Sequence, residues 1–444
     1  MFHQFGEEMT YETSRRGFLK TTLTGVGMTI LPAWAAAENA EVMAEAAPQR
    51  KFGPNDTIQI AVIGPGGPNG GYQQGLGVTR GIQQIQGVKV VSVCDVDTTH
   101  LDNADKVLGG GLKKHRDFRE VLSDKAVDAV VIGTPDHWHS IICIEAAKAG
   151  KDIYCEKPLT LGLAQGRDVV NAVKKHRRVL QTGSQQRSDS RFRLACELVR
   201  NGRIGKLKTV TTRLPTGPTG GPFEAKRAPR SLDYNMWLGP AAEAEYCTER
   251  VHGNFRWWLD YSGGMLTDWG AHHHDIAQWA MGMDESGPIS VFATGKPQPL
   301  IGPLSYNTFP EFDVTFEYAS GVVLHSTNKG ENGVLFEGDN GWIFVSRGKI
   351  EASDPKLLES PLPADAIRLE TTPGHGQNFI ECMRSRKNPI CHAEVGHRSV
   401  SICHLANISL KLGGRKLKWD PAKEKFDGDK EADNLCLNPA RKWD

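Results

Sequence analysis

The feature that most constrains the fold of this chain is the repeated alternation of short apolar runs with helix-like segments. Apolar runs at 58–63, 88–93, 129–132 and 151–154 are typical of buried strands, and residues 139–148 read as a helix that stops at Gly150. Strands that alternate with helices predict a parallel, doubly wound α/β sheet. We therefore predict an N-terminal Rossmann domain over residues 56–181.

The pattern changes after residue 182. A helix at 192–201, a strand at 207–214 and a long Gly-, Pro- and Trp-rich stretch at 215–259 come first. A helix at 265–281 and strand-like segments at 290–293, 313–318, 322–327 and 342–345 follow. These segments predict a C-terminal α+β domain over 182–444 with a largely antiparallel sheet.

A glycine-rich turn follows the first predicted strand, which is the position of a dinucleotide fingerprint. Gly64 would make the tight turn, and Gly66, with Gly67 beside it, would let the backbone approach a pyrophosphate. The third position of G-x-G-x-x-G is Asn69, and glycines continue to Gly81, so the helix is expected to start late. A plain loop is the alternative.

Asp95 ends the second predicted strand, where a carboxylate can accept hydrogen bonds from the adenosine ribose. It would repel a 2′-phosphate, which favours NAD over NADP. It stands 29 residues after Gly66, more than the usual spacing of about 20, and the long turn can absorb the excess. The alternative is a simple turn residue.

At this point the chain resembles the glucose–fructose oxidoreductase/inositol dehydrogenase family (Gfo/Idh/MocA). The matching motifs, in chain order, are A-V-I-G-x-G at 61–66, C-D at 94–95, T-P-D-H-W-H at 134–139, A-G-K-D-I-Y-C-E-K-P at 149–158 and G-G-M-L-T-D-W-G-A-H at 263–272, ending at Asp275. The resemblance implies a nicotinamide cofactor held in part by Thr134, Pro135, His139, Glu156 and Lys157, although for His139 a packing role at the helix start is an equal alternative.

The resemblance also implies that Lys157, Asp268 and His272 form the catalytic set. Asp268 and His272 are four residues apart, so on a helix they share one face. Oxidation of a secondary alcohol needs a base, and histidine titrates near working pH. A lysine ammonium can polarise the same oxygen, or lose its proton if desolvated. The alternative is a capping aspartate and a packed histidine.

Three further groups of residues allow more than one interpretation. Gln185 and Arg187 could hydrogen-bond a polyol, or hold ordinary surface positions. The run His272-His273-His274 cannot face one ion, because consecutive helical residues point about 100° apart; we therefore expect no metal. Nine cysteines without C-x-x-C spacing indicate buried thiols rather than a disulfide framework.

The N-terminal 37 residues read as a twin-arginine export signal: Ser14-Arg15-Arg16-Gly17-Phe18-Leu19-Lys20, an apolar stretch, then Ala35-Ala36-Ala37. Residues 38–55 read as a linker or arm. Export in the folded state to the periplasm or cell envelope, through the twin-arginine machinery, is the expectation. The formal net charge of +1 gives no electrostatic reason to expect nucleic acid as a partner.

The sequence thus predicts an NAD-dependent oxidoreductase that acts on a secondary hydroxyl of a sugar, polyol or glycoside. We also expect a homo-oligomer. Two alternatives stay open: a hydrolase or lyase that oxidises the sugar transiently, and a non-catalytic sugar-binding scaffold.

Overall fold

The computed structural model describes residues 50, 52–53, 56–68, 72–298, 302, 304–437 and 441, all within the compact unit Glu45–Asp444. The predicted export signal lies outside the described residues, as does most of the predicted arm.

The N-terminal sheet has six strands in the order β3-β2-β1-β4-β5-β6, and every neighbouring pair is parallel. The strands are β1 (Ile58–Ile63), β2 (Val88–Cys94), β3 (Lys113–His115), β4 (Ala129–Ile132), β5 (Asp152–Cys155) and β6 (Leu180–Thr182). The helices are α1 (Gln74–Gln83), α2 (Thr98–Val107), α3 (Phe118–Ser123), α4 (Asp136–Lys148) and α5 (Leu163–Lys175).

The central strands β4 and β5 are buried along their whole length because both faces of this sheet are covered. All residues of β4 and β5 are buried, as expected for strands packed between two helical layers. One apolar core lies on each face. The predicted doubly wound parallel sheet is confirmed.

The C-terminal sheet has nine strands in the order β13-β12-β11-β7-β10-β9-β8-β14-β15. They are β7 (Leu207–Arg213), β8 (Ser290–Lys296), β9 (Glu311–Glu317), β10 (Val323–Thr327), β11 (Gly333–Gly338), β12 (Gly341–Val345), β13 (Ile350–Ala352), β14 (Leu417–Asp420) and β15 (Lys425–Phe426). Among these described strands, only β7 and β10 pair in parallel. The predicted, largely antiparallel sheet is confirmed.

Helices cover one face of this second sheet. The helices of this half are α6 (Ser190–Arg200), α7 (Tyr234–Leu238), α8 (Met265–Asp268), α9 (Gly270–Met281), α10 (Lys356–Glu359), α11 (His375–Ser385), α12 (Ala393–Lys411) and α13 (Lys430–Leu435). Strand β9 alternates exposed and inward-facing residues, whereas α9 and α12 are buried almost throughout. This arrangement buries the largest core between the sheet and these helices.

Two C-terminal helices return to the N-terminal sheet. Phe379 and Met383 of α11 pack into one of its cores, and Val400 of α12 packs into the other. Arg386 donates to both carboxylate oxygens of Asp152, at 2.5 and 2.9 Å. These contacts hold the two sheets in one arrangement, which places residues from both on the same cavities.

The irregular stretch 215–259 contains α7 and a 3-10 helix, His252–Trp257. Its aromatic side chains, among them Trp237 and Trp258, form a separate apolar cluster together with Tyr261, which follows the stretch. Leu232, Met236 and Phe255 from this region line a cavity at the carboxyl edge of the N-terminal sheet.

All nine cysteines are buried free thiols, which confirms the reading of their contexts. No helix in the described part of the chain has both the length and the apolar character needed to cross a bilayer.

Candidate functional site

The glycine-rich turn closes against the end of β4. Gly64 has φ of +74°, and a Cβ there would lie 2.6 Å from the Thr134 backbone nitrogen. Gly66 has φ of +73°, and its Cβ would lie 2.3 Å from the carbonyl oxygen of Tyr72. A side chain at either position would push the turn away from the strand ends. The backbone is therefore left open to a ligand at this edge.

The third glycine of the fingerprint is supplied by Gly75, not by the residue at 69, which lies outside the described residues. A Cβ on Gly75 would meet the carbonyl oxygen of Gly64 at 2.4 Å. Close packing of helix on strand is the task of the third glycine in dinucleotide-binding turns. Because α1 begins at Gln74, the turn is longer than usual, and the wide spacing from Gly66 to Asp95 follows from that extra length.

Asp95 follows β2 and lines the same cavity as Gly64 and Gly66. One carboxylate oxygen accepts from the backbone nitrogen of Asp97 at 2.9 Å, and the other lies 3.3 Å from Nδ1 of His100. Burial lowers the pKa of His100, but the Asp95 carboxylate and Asp97 outweigh it and raise that pKa. Gly67 packs on the His100 ring, where a Cβ would lie 2.1 Å from a ring carbon.

The residues around this cavity suit a dinucleotide. It is lined by Gly64 and Gly66 of the glycine turn and by Asp95, Thr134, Pro135 and Arg116. The Thr134 hydroxyl and His100 Nε2 are buried without a hydrogen-bond partner in the described part of the chain. Polar atoms left in that state cost free energy unless a ligand or water satisfies them. Five of the predicted cofactor residues thus line this cavity: Gly64, Gly66, Asp95, Thr134 and Pro135.

His139 and Glu156 lie beneath the cavity floor. Both ring nitrogens of His139 contact backbone oxygens, of Pro158 at 2.8 Å and of Thr134 at 2.9 Å. Burial lowers the pKa of His139 to about 4, so the ring is neutral and joins two loops. Burial raises the pKa of Glu156, which accepts from the Gln74 amide at 3.2 Å. Both residues hold the loops that form the site.

Lys157 reaches across from the N-terminal domain to Asp268 in α8. Its Nζ donates to the Asp268 carboxylate at 2.7 Å and to the Asp268 backbone oxygen at 3.0 Å. Arg256 donates to the same carboxylate oxygen at 3.2 Å and stacks 3.6 Å from the Tyr72 ring centroid. Burial lowers the pKa of Lys157, but the Asp268 carboxylate outweighs it and raises that pKa. Lys157 is therefore an ammonium.

His272 stands on α9, one turn beyond Asp268, and lines a cavity with Lys157 and Asp268. Burial, then the charges of Lys157 and Arg347, hold the pKa of His272 well below its usual range. Its Nδ1 is buried with no hydrogen-bond partner among the described residues. The ring is thus neutral. In the described structure the Asp268 carboxylate hydrogen-bonds to Lys157 and Arg256 rather than to His272.

The three consecutive histidines meet three different environments. His273 Nε2 lies 2.8 Å from the Asn332 amide oxygen, and His274 Nε2 lies 3.1 Å from the Ser326 hydroxyl. His272 alone of the three lines the cavity.

The two residues proposed to bind a polyol separate in space. Gln185 lines the cavity with Lys157. Arg187 is buried, donates to both carboxylate oxygens of Asp275 at 3.0 and 2.8 Å, and pairs with Asp284 at 2.7 Å. Its guanidinium is occupied by two carboxylates and does not line the cavity, so Arg187 is not available to a sugar.

Arg256 and Arg347 belong to the site but were missed from the sequence. Arg256 lies in the irregular stretch, and Arg347 follows β12, where no local pattern points to a ligand. Trp269 lines the cavity with Arg347. The only available signal was the position of Trp269 next to Asp268.

Comparison with known families matches both halves of the chain. Residues 58–184 match the family described as oxidoreductase family, NAD-binding Rossmann fold (GFO_IDH_MocA). Residues 219–444 match the oxidoreductase family, C-terminal alpha/beta domain (GFO_IDH_MocA_C2).

Several curated relatives carry inositol dehydrogenase names, and one, from Shewanella sp., is named glycosyl hydrolase family 109 protein 2. The chain is 30% identical to myo-inositol 2-dehydrogenase of Thermotoga maritima over 54% of this chain, and the alignment spans only 58% of that relative. It is 27% identical to scyllo-inositol 2-dehydrogenase (NAD(+)) of Bacillus subtilis over 75% of this chain and 88% of that one.

Solved structures share the fold at low identity. The WlbA dehydrogenase of Chromobacterium violaceum, in complex with NADH and UDP-GlcNAcA, superposes with a TM-score of 0.62 at 18% identity. That match covers 84% of this chain and 99% of the other.

Proposed function

Because the chain belongs to the Gfo/Idh/MocA oxidoreductase family, we propose that it oxidises a secondary hydroxyl of a sugar, polyol or glycoside with NAD. The observation that carries this proposal is the convergence of Lys157, Asp268 and His272 on one cavity. Lys157 comes from the N-terminal domain, which holds the glycine turn, and the other two come from the C-terminal domain.

NAD, when bound, supplies a hydride acceptor, and the residues that would hold it are Gly64, Gly66, Asp95 and Thr134. Asp95 would accept hydrogen bonds from ribose hydroxyls, for which it would have to exchange its present contact with His100. The open backbone at Gly64 and Gly66 would face the pyrophosphate.

Lys157 is proposed to hold the substrate oxygen as a charged hydrogen-bond donor. Its carboxylate partner keeps it protonated, so it stabilises negative charge that develops on the oxygen as the hydroxyl proton leaves. It is not proposed as the base, because its raised pKa opposes loss of the proton.

His272 is proposed as the general base. A neutral imidazole can accept the hydroxyl proton directly, and the low pKa of His272 keeps it neutral at working pH. The nearby cations Lys157 and Arg347 that depress this pKa make it a weak base. The positive charges are therefore expected to lower the pKa of the bound hydroxyl as well, which offsets the weak base.

Asp268 is proposed as a positioning residue that acts through Lys157. It balances the charges of Lys157 and Arg256, which are 8% and 10% exposed, respectively. Without it two buried cations would face each other.

The substrate class rests on the names of the relatives, which act on ring polyols by name. Polar lining from Gln185, Gln186 and Asp189 suits a molecule rich in hydroxyl groups.

We further propose export through the twin-arginine route, which is supported by the arginine pair Arg15-Arg16 and the apolar stretch that follows it. Because that route carries folded proteins, the cofactor would be acquired before export.

A panel of sugars, polyols and glycosides, incubated with the NAD-loaded protein, tests the activity. Stoichiometric NADH formation with at least one alcohol is the expected result. Glycoside cleavage or elimination without net NADH would replace this proposal with transient oxidation. NAD-loaded protein that binds sugars but performs neither reaction would favour a non-catalytic scaffold. Lys157→Met serves as the matched inactive control.

A further inference from the structure

Arg347 projects into the substrate cavity from the tip of a tight hairpin. The turn connects β12 to β13, and the Ser346 backbone nitrogen donates to the Lys349 oxygen at 2.9 Å. Arg347 lines the same cavity as Lys157 and His272. A ligand in this cavity can therefore meet Arg347 and the proposed acid–base residues together.

The guanidinium is held in a fixed plane. It stacks on the Trp269 indole, with Cζ 4.5 Å from the ring centroid. With the Gln186 amide turned to suit its neighbours, its oxygen accepts from Arg347 Nε at 3.3 Å and its nitrogen donates to the His272 backbone oxygen at 3.0 Å. One face and one edge of the guanidinium are thus used, and its two terminal nitrogens have no hydrogen-bond partner among the residues that the structure describes.

No carboxylate in the described part of the chain neutralises Arg347. The two carboxylates that line the cavity have other partners. Asp268 pairs with Lys157 and Arg256, and Asp189 pairs with Arg191 at 2.6 Å and caps α6. Lys157 and Arg256 share the single Asp268 carboxylate and Arg347 has no carboxylate partner among the described residues, so this part of the site carries an excess of positive charge.

We propose that Arg347 is the recognition group for a carboxylate on the substrate, so that the substrate class is a sugar acid such as a uronate or aldonate. A planar guanidinium with two free terminal nitrogens matches the two oxygens of a carboxylate. This inference rests on the proposed function, because it names the substrate of that cavity.

Calorimetric binding to the NAD-loaded protein tests the subsite without requiring turnover. The probes are D-glucuronate against D-glucose, D-galacturonate against D-galactose, and D-gluconate against D-glucitol. At least one acid is expected to bind roughly 10–100-fold more tightly than its neutral counterpart, the range of a charge-assisted hydrogen bond. This preference should weaken with added salt.

Variants separate the subsite from general effects. Arg347→Met should remove the acid preference, so that each acid binds no more tightly than its neutral counterpart to the same variant, and Arg347→Lys should retain part of the preference. Arg415→Met, which removes an exposed arginine paired with Glu431, is the charge-matched control and should behave like the native protein. The unfolding midpoint of each variant shows whether it is folded. If Arg347→Met does not fold, the salt dependence of acid binding to the native protein still tests the subsite.

The outcomes distinguish this inference from the proposed function. Acids that bind no better than their neutral partners, or a preference that survives Arg347→Met, overturn the subsite even if neutral sugars yield NADH. Arg347-dependent acid binding without NADH formation keeps the subsite and overturns the proposed oxidation. Absence of any sugar or acid binding overturns the subsite as well.

Discussion

Replacing Asp268 with Asn tests whether Asp268 acts through Lys157. The carboxylate balances two cations, Lys157 at 2.7 Å and Arg256 at 3.2 Å. Asparagine keeps an acceptor oxygen, and the Asp268 backbone oxygen still accepts from Lys157. Removing one partner of a buried pair costs roughly 3–5 kcal/mol. Because Lys157 keeps both of its hydrogen bonds to residue 268, we expect a loss at the lower end of this range, about 3 kcal/mol in the free energy of unfolding.

The same change should move the pH profile. In the native protein Asp268 raises the pKa of Lys157 against burial, whereas burial and Arg256 lower it. Without the carboxylate, Tyr72 still raises the pKa of Lys157 while burial and Arg256 lower it, and the loss of an opposite charge in contact shifts a pKa by about 1–3 units. The ammonium is lost as pH rises through its pKa. The alkaline fall in kcat/KM should therefore begin about 1–3 pH units lower than in the native protein.

The assay is kcat/KM against pH for a substrate found in the sugar panel, together with the pH dependence of Lys157 acylation measured by mass spectrometry. Glu394→Gln is the matched control, because Glu394 pairs with Arg167 at 2.7 Å and does not line the cavity. It should lower stability and leave the alkaline limb in place. An alkaline limb and a labelling curve unchanged in folded Asp268→Asn would refute the assignment.

Three further predictions concern the base, the cofactor and the export route. His272→Ala and Lys157→Met should each lower turnover by roughly 10²–10⁴-fold with NAD content unchanged. The turnover of the double variant should be little lower than that of the slower single variant. Near-normal turnover in folded His272→Ala would leave that residue with a packing role. Asp95→Ser should weaken NAD binding by about 1.5–3 kcal/mol in equilibrium titrations. It should also favour NADP relative to NAD, because Arg116 already lines that cavity. Unchanged NAD affinity would mean that Asp95 is only a turn residue. The purified protein should release nearly stoichiometric NAD on heating, as found by mass spectrometry, whereas empty protein that is fully active with added NAD would contradict loading before export.

The local sequence determined the fold class and one half of the candidate site. Continuous apolar runs such as Ala129–Ile132 suit strands that are covered on both faces, and the alternation of strands with helical segments predicts a parallel sheet. Two segments directly follow strands: the glycine turn, and the segment that contains Glu156 and Lys157. The carboxyl ends of parallel strands lie at the same edge of the sheet. Proximity of these residues therefore follows from chain order and periodicity.

Pairings between distant side chains were decided only by the tertiary structure. Asp268 and His272 share a helical face, yet the carboxylate turns to Lys157, which is 111 residues away along the chain. Gln185 and Arg187 lie two residues apart on a 3-10 turn, so they point in different directions, one to the cavity and the other to Asp275. Arg347 reaches the site because a hairpin of the second sheet ends beside α9. The periodicity of apolar residues indicates which face of a helix or strand is buried. It does not indicate which charged side chain from another element contacts that face.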